Sequence, residues 1–349
     1  MVQLNFCLGL CFGLSMTMII QVFNVTSTFK DFYLRNIKPE DWNNTDNTAC
    51  KPNTQSDDRL RKMEKELIHM RLQSANDSQF HQDNDAIAKQ LFKTVRIACW
   101  ILTSPQNLDK KTIHVKNTWT KRCNVVVFIS SQTNDSFPTV GVNAKEGRQH
   151  LTTKTMKAFK YLYDHHLGDA DWFLKADDDT YVIMENLRYF LSGEDPNKPL
   201  YFGQRFKPYL KQGYASGGAG YVISKEALTR YGQRGFENPS MCRNNTGHED
   251  VEMGRCLQNL GVVLKPSLDA LNRTRFHCLT PETYIGNKLP GSMKDFDVEN
   301  GRAGAENMSD YTISFHYVTP SKMYDLEFFI YHLRPYGILN MPQKLNLAA

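Results

Sequence analysis

The sequence predicts an α/β domain on a mostly parallel sheet with helices on both faces, and three observations support this. Two short, nearly continuous apolar and β-branched runs, Val95–Leu102 and Val125–Ser130, have the pattern of strands buried on both faces. Helical spacing separates and follows them, so that the chain alternates β-α-β-α-β. A third apolar run, Trp172-Phe173-Leu174, leads into Asp177-Asp178-Asp179, placing clustered carboxylates at the carboxyl edge of the sheet, where open α/β folds bind ligands.

Before that domain lie two other segments. Residues 1–25 contain a run, Leu4–Phe23, without a charged side chain. A bilayer takes about 20 residues to cross, so the run is expected to be a retained signal anchor. A cleaved signal peptide is the competing reading, although no small-residue cleavage site stands out. Only the α-amino group precedes the run, which leaves the positive-inside rule little to act on. Residues 26–86 are polar and rich in Asn, Asp, Thr and Gln, as expected of a stem. Within it, Leu60, Met63, Leu67 and Met70 alternate three- and four-residue spacings, compatible with a short homodimer seam or with a solvated helix. Residues 87–349 form the large domain.

In the 349-residue chain, 42 basic residues against 37 acidic ones give a net charge of +5. The surplus is spread without a basic block, so nucleic-acid binding is not expected. Sequons at Asn24, Asn43, Asn76, Asn134, Asn244, Asn272 and Asn307 permit a lumenal location. With Cys7 and Cys11 in the apolar run, Cys50, Cys99, Cys123, Cys242, Cys256 and Cys278 remain, and none forms a Cys-X-X-Cys. Disulfides are therefore expected rather than a zinc ribbon. Proximity suggests Cys99 with Cys123 and Cys242 with Cys256, and leaves Cys50 and Cys278 unassigned.

Within the large domain, Leu108–Trp119 and Gly147–Leu167 have helical character, the latter through Leu151, Met156, Phe159, Leu162 and Tyr163. Thr103-Ser104-Pro105-Gln106-Asn107 follows the first strand where a dinucleotide fold would have a glycine fingerprint, which disfavours that fold. A helix is expected over Met184–Leu191. The glycines of Ser216-Gly217-Gly218-Ala219-Gly220 lack a Cβ, so this backbone can pass close to something bulky or make a tight turn before the strand Tyr221–Ser224. His248-Glu249-Asp250-Val251 opens another helix, where acidic residues also complement the dipole. Phe315–Val318 is expected to be strand-like, and Lys322–Leu333 helical, ending near Pro335.

Three consecutive aspartates suit either a hard cation or a solvated turn with a helix cap. Apolar sequence on both sides anchors this triplet in a core. Repelling carboxylates held there destabilise the fold unless a cation or hydrogen bonds compensate them.

Several separated segments together resemble glycosyltransferase family 31, nearest its core 1 β1,3-galactosyltransferase branch. They include Ser104–Leu108, His114–Trp119, Ala170–Val182, Tyr201–Tyr209, Ser216–Val222, Glu249-Asp250-Val251, Phe315–Val318 and Tyr331–Gly337. The resemblance spans about Val95 to Gly337. It implies a GT-A fold, with Mn²⁺ holding the diphosphate of UDP-galactose through Asp177, Asp179 and His316. It implies Asp250 as the base of an inverting transfer to the 3-hydroxyl of GalNAc on Ser or Thr of glycoprotein acceptors, with Glu249 as the less favoured choice. Thr103 and Pro105 resemble nucleotide-contacting positions. Lys111, Lys116 and Lys154 are candidates for phosphate or fold-stabilising roles, and Gly217, Gly218 and Tyr317 for lining the sugar. A single-pass type II Golgi membrane protein with a lumenal catalytic domain is implied as well. One segment departs from the branch pattern: Lys288–Asn307 carries Met293, Lys294, Asp295, Asp297 and glycines in place of an aromatic-rich stretch with paired cysteines. Two other functions compete: a β1,3-glycosyltransferase of different donor or acceptor, and a catalytically silent folding partner, which would be expected to have an eroded metal motif.

Overall fold

The computed structural model describes residues 84–335, apart from Asn244 and Asn300, all within the compact unit Asp57–Ala349. The Leu4–Phe23 run, the Leu60–Met70 spacing, Cys7, Cys11, Cys50, the sequons at Asn24, Asn43, Asn76 and Asn244, and Tyr336-Gly337 lie outside the described residues.

A helix that the apolar pattern does not signal, α1 (Ala86–Thr94), precedes the first strand. It displaces the expected strand start, because the Val95 N–H bonds back to the Leu91 carbonyl and closes the helix. Strand β1 (Ile97–Leu102) then begins the main sheet, followed by β2 (Val125–Ser130) and β3 (Thr139–Gly141). Helix α2 (Leu151–His166) leads to β4 (Trp172–Asp177), and α3 (Met184–Leu191) to β5 (Leu200–Gly203). Beyond β6 (Tyr221–Ser224), α4 (Glu249–Asn259) and β7 (Val263–Leu264) complete a seven-stranded sheet of order β7-β5-β6-β4-β1-β2-β3. Only β6 runs antiparallel to its neighbours, β4 and β5.

Alternate residues of β1 enter different cores. Ile97, Cys99 and Ile101 pack on one face, and Ala98, Trp100 and Leu102 on the other. That two-residue period explains the continuous apolar run, since both faces of the sheet are covered. The expected disulfides Cys99–Cys123 and Cys242–Cys256 are present, and Cys278 is a buried thiol without a disulfide partner among the described residues. Burial pushes that thiol up to about 12.

Two smaller pairings matter for the site. Tyr181–Val182 pairs antiparallel with Ser314–Phe315, which runs parallel to Phe276–His277. A hairpin joins Arg205–Phe206 to Tyr214–Ala215. The divergent 288–307 segment packs along that hairpin: the Val298 N–H donates to the Arg205 carbonyl and the Lys207 N–H to that of Phe296.

Two expectations need correction. The element expected over Phe315–Val318 is a strand only at Ser314–Phe315, because the chain turns at His316-Tyr317 and Tyr317 adopts φ 55°. The last helix, α5 (Pro320–Tyr331), starts and ends two residues earlier than Lys322–Leu333. The Thr319 hydroxyl accepts from the Lys322 N–H and Pro320 occupies the first helical position, which together fix the start.

Candidate active site

Parallel pairing of β1 with β4 sets Leu102 opposite Asp177, so both strands deliver their next residues to one edge. Thr103 and Asp178 meet there. The Thr103 hydroxyl donates to Asp178 Oδ2 at 2.9 Å, and the Asn107 amide does so at 2.8 Å. The middle aspartate thus ties the loop after β1 to the acidic turn. Burial pushes its carboxyl up to about 6, against the lowering effect of those two hydrogen bonds.

His316 reaches the same turn by strand pairing. Phe315 lies opposite Tyr181, and the Val318 N–H donates to the Asp179 carbonyl, so the histidine between them is held over the aspartates. Its Nε2 stands 3.1 Å from Asp179 Oδ1 and 3.7 Å from Asp177 Oδ2. Its Nδ1 is 3.2 Å from the Cys278 carbonyl, an acceptor only, so Nδ1 carries the proton in that bond. Nε2 faces the carboxylates, the direction a ligating nitrogen takes when the other ring nitrogen is bonded to a carbonyl.

One ligand atom each from Asp177, Asp179 and His316 lies within 4.8 Å of the others. Ligands at about 2.1 Å from an octahedral ion are separated by about 3 Å along an edge, so modest closure would bring these three onto one divalent cation. Two carboxylates and an imidazole suit Mn²⁺. The residues present therefore fit the metal that the family resemblance implies.

Two lysines hold the outer oxygens of these carboxylates. Lys111 donates to Asp179 Oδ2 at 2.9 Å, and Lys175 to Asp177 Oδ1 at 2.6 Å. Burial pushes the Asp179 carboxyl up, but His316 and Lys111 outweigh it and hold the group well below the usual carboxylate range. For Lys175, burial disfavours the ammonium, yet Asp177 and Glu249 outweigh it and raise the group above an ordinary lysine.

The glycines bring the other side of the cleft in. A Cβ on Gly218 would run into the His316 imidazole, and one on Gly217 would lie 2.7 Å from Glu249 Oε2 and 3.5 Å from Asp250 Cβ. The bulky neighbours expected from sequence are thus the histidine ring and the first turn of α4. Gly217 N–H donates to Asp250 Oδ2 at 3.2 Å, while Val251 N–H donates to Oδ1 at 2.9 Å. The Glu249 side chain is 8% exposed and accepts from the Tyr221 hydroxyl at 2.8 Å, and desolvation raises its carboxyl despite Lys175. Its hydrogen-bonded, enclosed position makes it the poorer proton acceptor for an external alcohol.

Of the remaining candidates, Thr103 is buried and Pro105 opens the short turn Pro105–Asn107 beside the acidic edge. Tyr317 is exposed and tilts against His316, with ring centroids 3.9 Å apart. Lys154 is buried, paired with Glu146 at 2.7 Å, and donates to the Thr103 carbonyl at 3.0 Å, so it supports the loop after β1. Lys116 is not brought to the acidic turn: its ammonium stands 4.7 Å from the Phe137 ring centroid. Sequence reasoning assigned no role to Lys175. A signal existed, since a lysine inside a strand buried on both faces requires an anionic partner.

The profile of the Fringe-like family matches residues 94–323. The chain is 48% identical over 265 residues to glycoprotein-N-acetylgalactosamine 3-beta-galactosyltransferase 1 of Xenopus laevis, covering 74% of this chain and 73% of that protein. It is 30% identical over 183 residues to mouse chondroitin sulfate synthase 3, covering 46% of this chain and 20% of the relative. Mouse beta-1,3-glucosyltransferase is 27% identical over 185 residues, covering 51% of this chain and 36% of its own length.

Proposed function

The chain belongs to the Fringe-like family, and on that premise we propose that it is a metal-dependent, inverting galactosyltransferase with a GT-A fold. The reaction is transfer of galactose from UDP-galactose to the 3-hydroxyl of GalNAc linked to Ser or Thr of glycoproteins. One observation carries the reading: Asp177, Asp179 and His316 converge, and Gly217–Gly218 bridges from their imidazole to Asp250.

Asp177, Asp179 and His316 would hold Mn²⁺, which when bound supplies positive charge for the phosphate oxygen of departing UDP. The loop from Thr103 to Asn107 sits beside that position and would receive the nucleotide. Asp250 would take the proton of the GalNAc 3-hydroxyl as its oxygen bonds to C1 of galactose and the C1–phosphate bond breaks. Two backbone N–H groups fix this carboxylate, and a positioned base of this kind contributes about 10² to 10⁴ in rate. Gly217, Gly218 and Tyr317 would line the transferred sugar. An anchored Golgi location belongs to the same proposal and rests on the Leu4–Phe23 run.

The full chain, purified in detergent, would be given UDP-galactose and a GalNAc-α-peptide with and without Mn²⁺. The proposal expects a β1,3-linked disaccharide on the peptide only with the metal. Transfer to xylose, fucose or glucuronic acid acceptors instead, or use of UDP-GlcNAc, would refute the assignment of substrates.

A further inference from the structure

We propose that Lys175 is a positioning residue that sets the metal ligand Asp177 and the base Asp250 together, an inference that rests on the reading of the site just given. Its side chain is 1% exposed. The ammonium donates to Asp177 Oδ1 at 2.6 Å and to the Gly217 carbonyl at 3.0 Å, and stands 3.9 Å from Glu249 Oε2. Each contact has a separate consequence. The first occupies the outer oxygen of Asp177, leaving Oδ2, the oxygen 3.7 Å from His316 Nε2, to face the metal position. The second holds the peptide unit of Gly217, the residue whose own N–H donates to Asp250 Oδ2. The third joins the edge of β4 to the first turn of α4, where Asp250 follows Glu249.

Packing does not require a lysine at this position. The adjacent residues of β4, Leu174 and Ala176, are buried and apolar, and Lys175 shares its face with Phe173. A methionine would fill similar space without a charge. What the ammonium adds is a bridge of three contacts between the metal half and the base half of the cleft. Lys111 offers a contrast: its side chain is 39% exposed, and its ion pairs are with Asp178 and Asp179 in the acidic turn.

The test compares Lys175→Met with Lys111→Met. Free Mn²⁺ is titrated by electron paramagnetic resonance in the presence of UDP, and the ratio of galactose transfer to UDP-galactose hydrolysis is then measured at saturating Mn²⁺. Loss of an orienting partner is expected to weaken Mn²⁺ binding about 10- to 100-fold in both variants. Only Lys175→Met is expected also to lower the transfer-to-hydrolysis ratio, by about tenfold or more, because only it frees Gly217 and thereby Asp250. Should Lys175→Met fail to fold, Lys175→Met/Glu249→Gln removes both charges of the buried pair and serves the same comparison. Wild-type Mn²⁺ affinity, or a wild-type transfer-to-hydrolysis ratio, in the folded variant would overturn the inference. A wild-type protein that binds no Mn²⁺ would instead overturn the metal reading beneath it.

Discussion

Replacing Gly218 with alanine adds one methyl group at the place where backbone meets the His316 imidazole. Gly218 is not among the positive-φ glycines, so alanine strains no dihedral and the effect is steric. The new Cβ would fall within 3 Å of the imidazole Nδ1, Cε1 and Cγ atoms. Ordinary contact between such atoms is about 3.5 Å, so the ring must withdraw by about 1 Å. Withdrawal breaks the 3.2 Å bond from Nδ1 to the Cys278 carbonyl, which contributes about 1 kcal/mol, and moves Nε2 away from the aspartates. Disturbing the partner that orients a ligating histidine typically weakens metal binding about 10- to 100-fold, or about 1.4 to 2.8 kcal/mol. Titration of Gly218→Ala with Mn²⁺ in the presence of UDP, followed by electron paramagnetic resonance, measures that loss. Wild-type affinity in a folded Gly218→Ala protein would refute the placement of His316 against this backbone.

Other perturbations separate the two halves of the site. Asp250→Asn keeps the shape but only one of the two backbone contacts, because its amide NH2 cannot accept an N–H, and it loses the basic oxygen, so transfer should fall about 10²- to 10⁴-fold while UDP and Mn²⁺ still bind by calorimetry. Gly217→Ala presses on Glu249 and Asp250, and steady-state kinetics should show a lower kcat with Mn²⁺ affinity little altered. Stability should also depend on pH through His277, whose burial lowers its pKa to about 4. The unfolded chain protonates this ring below about pH 6.5, so stability is full above that pH and falls by up to about 3 kcal/mol as pH drops toward 4. Urea unfolding of wild type and His277→Gln across that range checks it, and equal acid sensitivity in the two proteins would count against the buried neutral ring.

The sheet was legible because its strands are covered on both faces: the strand Val125–Ser130 has the boundaries its pattern suggests, as does the helix Met184–Leu191. α1 was not, since Leu91 is its only buried residue and Ile87 and Phe92 stay exposed. The Asp177, Asp179 and His316 grouping required long-range pairing that local spacing cannot encode, and it came from family resemblance rather than periodicity. Lys116, a candidate for a phosphate or fold-stabilising role, turns its ammonium to the Phe137 ring, a contact that local spacing does not foretell. Lys175 shows the converse: its place in an apolar strand marks it as paired, but its partners Gly217 and Glu249 come from distant segments.

Crystals soaked with Mn²⁺ and UDP, measured at an X-ray energy where manganese scatters anomalously, test the central claim most directly. The account predicts one strong peak bounded by Asp177, Asp179 and His316, with the UDP diphosphate on its open side and Asp250 across the cleft. A crystal with UDP bound and the manganese peak elsewhere, or with no peak among these three side chains, would contradict it.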